Sequence, residues 1–89
     1  MSDAPTDPVR VTIYTREACS LCDVAHETIE HVAGDLDVAV VIDLVDVDED
    51  PELAEKYGER VPYVLVGGRP AFKYEVDERE LRLKLLAAA

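Results

Sequence analysis

Two cysteines separated by two residues, Cys19-Ser20-Leu21-Cys22, stand between a β-branched run and a run of helical period. The run before them is Val9-Arg10-Val11-Thr12-Ile13-Tyr14. After them Leu21, Val24, Ala25, Thr28, Ile29 and Val32 recur at helical spacing. The pair therefore falls where a strand ends and a helix begins. Residues i and i+3 of a helix share one side, with Cβ atoms about 5–6 Å apart. A disulfide spans Cα atoms about 4.4–6.8 Å apart. One helical turn thus lets the two sulfurs join and part with little backbone movement. The first turn also presents unpaired N–H groups and a partial positive charge. These favour thiolate over thiol, and thiols in such sites reach pKa values of about 3.5–7.5. Cys19, first in the turn, is the expected nucleophile, and Cys22, one turn deeper, the expected resolving thiol.

Eighty-nine residues suit one domain, burying about 60% of the surface its unfolded chain exposes. Hydrophobic residues make up 48% of the chain, too many for a disordered one. Two cysteines are too few to frame a secreted scaffold. A Cys-x-x-Cys beside a strand–helix unit reads instead as redox or metal chemistry in a reducing compartment. Residues 1–8 carry neither the cationic start nor the apolar core of a signal peptide, and no apolar run reaches bilayer length. The expectation is a cytoplasmic protein with a frayed tail over 1–8 and a folded domain over 9–89. Twenty acids against nine bases give a net charge of −11, which argues against nucleic acid and anionic membranes as partners. The acids are spread along the chain, and lysine is confined to Lys56, Lys73 and Lys84. This pattern predicts an acidic, halophilic chain, working where salt screens self-repulsion, with an ordinary acidic mesophile protein as the alternative.

Residues 9–15 read as a first strand and 20–33 as a first helix, with Gly34 as its stop. Residues 38–47 read as a second strand, its continuously apolar first half suiting cover on both faces. Asp50-Pro51 reads as N-cap and first position of a short helix ending at Tyr57. Leu53, Ala54 and Tyr57 would face in, and Gly58 would stop it. Residues 61–66 form a third strand, Gly67-Gly68 a hairpin turn, and 70–75 the returning fourth strand. Asp77 and Glu80 make a capping-box pattern ahead of a last helix over about 78–87, burying Leu81, Leu85 and Leu86. The order is β-α-β-α-β-β-α. The first two strands are expected to be parallel with a right-handed crossover and the last two antiparallel.

The element order, the Cys19–Cys22 corner and the Val61-Pro62 step together resemble the glutaredoxin branch of the thioredoxin fold over roughly residues 9–86. The likeness is nearest to short glutaredoxin-like proteins. It rests on Tyr14-Thr15-Arg16, Cys19-Ser20-Leu21-Cys22-Asp23, Asp50-Pro51-Glu52-Leu53 and Tyr57-Gly58-Glu59-Arg60-Val61-Pro62. It implies an α/β thioredoxin-like fold, a four-stranded mixed sheet flanked by three helices. It also implies a cis Val61-Pro62 bond beside the cysteines, where the backbone before the proline pairs with an extended substrate. The implied activity is thiol–disulfide exchange. Cys19 attacks a substrate disulfide, and Cys22 then resolves the mixed disulfide.

The expected substrate contacts are Arg16, Leu21, Val61, Pro62, Tyr63 and Asp77. Arg16 would add positive potential near Cys19. Leu21 would touch substrate from between the cysteines, and Tyr63 would line the groove. Two departures bear on glutathione. Dithiol glutaredoxins carry Pro-Tyr between the cysteines, where this chain has Ser20-Leu21. They also carry a Gly-Gly-x-Asp turn for the γ-glutamyl end, where this chain has Lys73-Tyr74-Glu75-Val76-Asp77. Only Asp77 matches that turn, and Glu75 would repel a carboxylate. Glutathione is thus at most a co-substrate, and no resident cofactor is expected. The expected partners of a monomer are a disulfide-bearing protein or small thiol, with a reductase or low-molecular-weight thiol as electron donor.

Two other readings compete. Cys19 and Cys22 could bind zinc or an iron–sulfur cluster, with His26 as a third ligand and the fourth from a second chain. Alternatively, the chain is a non-catalytic interaction module on the same fold. His26 and His31 otherwise read as helix polars, and Asp43, Asp46, Asp48, Glu49 and Asp50 as a solvated acidic loop without a calcium pattern. Tyr14, Tyr57, Tyr63 and Tyr74 read as half-buried packing. The charge pattern generates a first test: the melting temperature should rise between low salt and molar KCl, and a flat response overturns the high-salt expectation.

Overall fold

The computed structural model describes residues 8–89. Apart from Pro8, an exposed coil residue, the expected tail over 1–8 lies outside the described residues. The elements run β1 (Val9–Thr15), α1 (Ser20–Leu36), β2 (Val40–Asp46), a 3-10 turn (Val47–Glu49), α2 (Pro51–Tyr57), β3 (Tyr63–Val66), β4 (Arg69–Lys73) and α3 (Glu78–Ala88). They build one four-stranded sheet in the order β2-β1-β3-β4. β1 lies parallel to β2 and antiparallel to β3, and β3 lies antiparallel to β4. This is the thioredoxin-like arrangement expected from the element order.

Side chains alternate along a strand, and that period decides which face is the core. Val9, Val11 and Ile13 of β1 and Val64 and Val66 of β3 are buried together. α1 covers them with Ile29, Val32 and Ala33, and α3 with Leu81 and Leu85. Burial of each valine, isoleucine or leucine among them stabilises the fold by about 1.5–3 kcal/mol relative to exposure. The opposite face is only partly covered, since α2 contributes no buried residue. Tyr57 of α2 instead stacks on Tyr14 with ring centroids 4.2 Å apart, and Tyr63 closes the cluster at 4.9 Å from Tyr57. These three tyrosines are half-buried packing, as expected, whereas Tyr74 is exposed.

Capping follows local chemistry. The Asp50 carboxylate accepts from the Glu52 N–H at 2.9 Å, with Pro51 opening α2. Asp77 accepts from the Glu80 N–H at 3.1 Å to open α3. The β3–β4 hairpin turns at Gly67 and Gly68, both at positive φ (58° and 81°), as a type I′ turn requires.

Several expectations need correction. α1 does not stop at Gly34 but runs to Leu36, where Asp37 takes the left-handed conformation (φ 57°) and caps it. Leu36 packs against the core, so one more turn gains burial, and Asp tolerates that conformation. β2 spans 40–46 rather than 38–47 and is an edge strand, so Val41 and Leu44 are exposed rather than covered on both faces. Val47 leaves the strand for the 3-10 turn and is fully buried there. β3 starts at Tyr63 rather than 61, and β4 occupies 69–73 rather than 70–75. Val24 lies on the outer side of α1, and Leu86 on that of α3. The buried stripes are instead Cys22, Ala25, Ile29, Val32 and Ala33 on α1, and Leu81 and Leu85 on α3.

Gly34 is exposed inside α1, and a Cβ built there meets no atom within 4 Å. Gly34→Ala should therefore stabilise the fold by about 0.5–1 kcal/mol. At about 4–8 °C per kcal/mol for a domain of this size, calorimetry should find a melting temperature several degrees higher.

Candidate active site

β1 ends at Thr15, and three residues carry the chain across its end to the helix. Ala18, the last of them, has φ 55°, a left-handed conformation uncommon for a residue with a Cβ. It turns the chain so that Cys19 becomes the N-cap of α1, in an extended conformation. The Cys19 Sγ accepts from the Cys22 N–H at 3.2 Å, and the Cys19 carbonyl accepts from the Asp23 N–H at 3.3 Å. The sulfur thus lies at the helix start as expected, over one amide, that of Cys22, which also donates to the Cys19 carbonyl at 3.2 Å. Cys19 and Cys22 form a disulfide with Cα atoms 5.2 Å apart. Cys22 is buried, at 4% exposure, while Cys19 is partly exposed. Access is therefore unequal, with the cap sulfur outermost. Leu21, between them, is 48% exposed.

Val61-Pro62 is cis. Tyr63 pairs with Tyr14 in the antiparallel β1–β3 ladder. That register brings Pro62 level with Thr15, at the sheet end from which the cysteine loop leaves. Pro62 is buried, Val61 and Tyr63 are half-buried, and the Pro62 carbonyl accepts from the Tyr74 N–H at 2.8 Å.

Arg16 points into a different set of contacts. Its Nε and Nη2 donate to the two oxygens of Asp48 at 3.1 and 2.6 Å, and its Nη1 donates to the Gly58 carbonyl at 2.6 Å. It ties the exit of β1 to the 3-10 turn and to the end of α2. The guanidinium holds the Asp48 carboxyl below its usual range by hydrogen bonding and charge. Asp48 in turn raises Arg16, again first by hydrogen bonding. Burial first, and then the charge and hydrogen bond of the neighbouring Tyr57, raise the Tyr14 hydroxyl.

Asp77 caps α3, so its carboxylate already has a backbone partner. The turn before it holds a residue that the sequence reading did not place at the site. Tyr74 adopts φ 71°, and the Glu75 N–H bonds back to the Lys73 carbonyl at 2.8 Å. The Tyr74 hydroxyl donates to the Glu59 carbonyl at 3.1 Å. Tyr74 therefore clamps both ends of the segment 59–62 that delivers Pro62. The only sequence signal for it was its place where dithiol glutaredoxins have glycine.

The acidic stretch is solvent-accessible, and most of its carboxylates also accept hydrogen bonds. Asp46 accepts from the Asp48 N–H at 2.9 Å, and Asp43 accepts from Arg10 at 2.7 Å. His26 sits 3.6 Å from Glu30 on its own helix. Among the described residues no three His, Cys, Asp or Glu side chains group as a metal donor set.

A family model, the glutaredoxin-like domain (DUF836), matches residues 10–86. An uncharacterised protein of Mycobacterium tuberculosis is 30% identical over 76 residues, covering 82% of this chain and 78% of that protein. A thioredoxin of Methanocaldococcus jannaschii is 31% identical over 65 residues, covering 72% of this chain and 76% of that one. Among solved structures, a structural-genomics target protein from X. campestris superposes with a TM-score of 0.72 at 34% identity, over 89% of this chain and 99% of that one. A mutant thioredoxin from Halobacterium salinarum shares the fold, with a TM-score of 0.59 at 24% identity over 92% and 75% of the two chains.

The Arg16–Asp48 contact carries a pH signature. A carboxyl lowered in the folded state stabilises the fold above its unfolded pKa, and that contribution fades as pH falls through the folded value. The melting-temperature gap between this protein and Asp48→Asn should be widest near about pH 7 and narrow towards about pH 2. A gap independent of pH would show that the contact contributes nothing electrostatic.

Proposed function

The chain belongs to the glutaredoxin-like domain family, and from that premise we propose that it is a thiol–disulfide oxidoreductase working through the Cys19/Cys22 couple. The observation that carries this reading is the asymmetric pair at the start of α1. The outer sulfur lies over the Cys22 amide, and the inner one is buried a turn below. In the reduced protein the Cys19 thiolate attacks one sulfur of a substrate disulfide. A Cys19–substrate bond forms, and the first substrate thiolate leaves. The Cys22 thiolate then attacks the Cys19 sulfur, closes the Cys19–Cys22 bond and expels the second thiolate. Two electrons pass to the substrate, and each expelled thiolate takes up a proton from solvent. The Cys19–Cys22 disulfide supports this reading as the oxidised form of the pair.

The substrate is a disulfide-bearing protein or low-molecular-weight disulfide, and the donor a reductase or small thiol. Val61, Pro62 and Tyr63 are assigned to the substrate backbone, and Leu21 to its side chains. Arg16 acts by holding the loop rather than by direct contact. Asp77 caps α3, and Glu75, two residues before it, disfavours an anionic γ-glutamyl end. The charge of −11 supports a partner other than nucleic acid or an anionic membrane. Among the described residues no helix is long and apolar enough to cross a membrane. A reducing compartment, the cytoplasm, suits a lone Cys-x-x-Cys pair.

The direct test is a trap. Reduced Cys22→Ser should accumulate a mixed disulfide at Cys19, identifiable by mass, while Cys19→Ser should accumulate none. In the reduced protein, iodoacetamide should modify Cys19 several-fold faster at about pH 6 than it modifies free cysteine. A Cys19 that alkylates no faster than free cysteine would favour a non-catalytic module.

A further inference from the structure

The charge of the chain is unevenly placed. Six of the nine bases but only four of the twenty acids lie between Arg60 and Lys84. The fifteen residues from Arg60 to Tyr74 contain three bases and no acid. Arg10, Arg16 and Arg82 each hold a carboxylate. Among the described residues, Arg60, Arg69, Lys73 and Lys84 have no carboxylate partner within 4.0 Å. The two lysines lie over aromatic rings instead, Lys73 at 5.3 Å from the Tyr74 centroid and Lys84 at 6.0 Å from that of Phe72. In a chain with more than twice as many acids as bases, four neighbouring cations without acids form a distinct surface.

That surface is a trough. A groove of about 310 Å³ is lined by Arg60, Tyr63, Phe72 and Lys73, and one of about 510 Å³ by Arg69 and Lys84. Both also touch Pro70 and Ala71, so they meet at β4, an edge strand; the register pairs Lys73 with Tyr63 but Arg69 with the buried Val66, so the two cation pairs flank that edge on opposite faces of the sheet. One end opens at Tyr63, next to the cis Pro62. The other lies four residues along β4, about 13 Å away at strand spacing. That span exceeds what one small thiol covers and matches an extended peptide.

We propose that β4 is a docking surface for an acidic, extended segment of the protein whose disulfide this chain exchanges. Carboxylates on the two sides of one extended segment would reach the Arg60/Lys73 pair on one face of the edge and the Arg69/Lys84 pair on the other. This rests on the redox reading above and names the class of substrate. Glu59 and Glu75 adjoin Arg60 and Tyr74 in sequence, so the acids of the segment belong over the cations and not beyond them.

The test uses three synthetic peptides at about 20 mM salt. One is a disulfide peptide with a glutamate-containing flank, one its glutamine counterpart, and one the glutamate peptide with serine for cysteine. Binding of the serine peptide to the oxidised protein is read by fluorescence anisotropy, independently of redox chemistry. It should weaken about tenfold in R69E/K84E, by an intermediate amount in the neutral R69Q/K84Q, and in wild type at about 1 M salt, where the Debye length is about 3 Å. The reduced wild type should prefer the glutamate over the glutamine disulfide by a similar factor in kcat/KM, and R69E/K84E should lose that preference while reducing the glutamine peptide as before. Equal binding of the serine peptide by folded wild type and R69E/K84E overturns the docking surface. Intact binding with neither disulfide reduced overturns the redox reading alone.

Discussion

β1 forms a parallel ladder on one edge and an antiparallel ladder on the other. Its inward side chains, Val9, Val11 and Ile13, are buried under both long helices. A strand held on three sides cannot slip, because a shift of one residue would turn every apolar side chain to the thinly covered face. The end of β1 is therefore a fixed point, and the chemistry is built on it. The loop leaving Thr15 can reach only one helix start, which sets Cys19. The Tyr14–Tyr63 pairing brings the β3 entrance, and with it Pro62, to the same end. Arg16 then ties that end to the 3-10 turn and to α2 through contacts reaching residues 48 and 58. α2 buries nothing fully, so this tie and the tyrosine stack hold it in place.

Where structure is set by neighbours in sequence, it was legible. The N-caps at Asp50 and Asp77, Pro51 opening α2 and the glycine hairpin each depend on residues a few positions apart. The helix-start placement of the cysteines is local in the same sense. What could not be read depends on partners far along the chain. Gly34 looks like a helix stop, yet the packing of Leu36 carries α1 a turn further. The apolar start of β2 looks doubly covered, yet strand order places it at an edge. Arg16 looks like a cation beside Cys19, yet it is bonded to Asp48 and Gly58. The positive φ of Ala18 and Tyr74 has no sequence signal, because neither residue type prefers it. Both lie beside the site, where surrounding contacts can hold a costly conformation in place. Tyr74 shows how, with its N–H and hydroxyl both bonded to the 59–62 segment.

Charge ties these parts together. Several acids have a local function: Asp46, Asp50 and Asp77 accept backbone N–H groups, and Asp35, Asp43 and Asp48 accept from arginines. The remaining acids leave a negative field around the molecule, and Glu17 and Asp23 lie close in sequence to Cys19. That field opposes formation of a thiolate. The Cys22 amide acts at 3.2 Å and is fixed by the helix itself, so its effect on the Cys19 sulfur is local and little screened. The field of exposed carboxylates acts through solvent and falls within a Debye length, about 8–10 Å at moderate salt. A contact at 3.2 Å thus escapes the screening that weakens charges farther off. The same holds along β4. The cations without a carboxylate partner among the described residues govern what lies in contact with the trough, even though the molecule as a whole is strongly negative. A surface of one sign and a trough of the other can thus coexist on 89 residues, because screening limits each to its own neighbourhood.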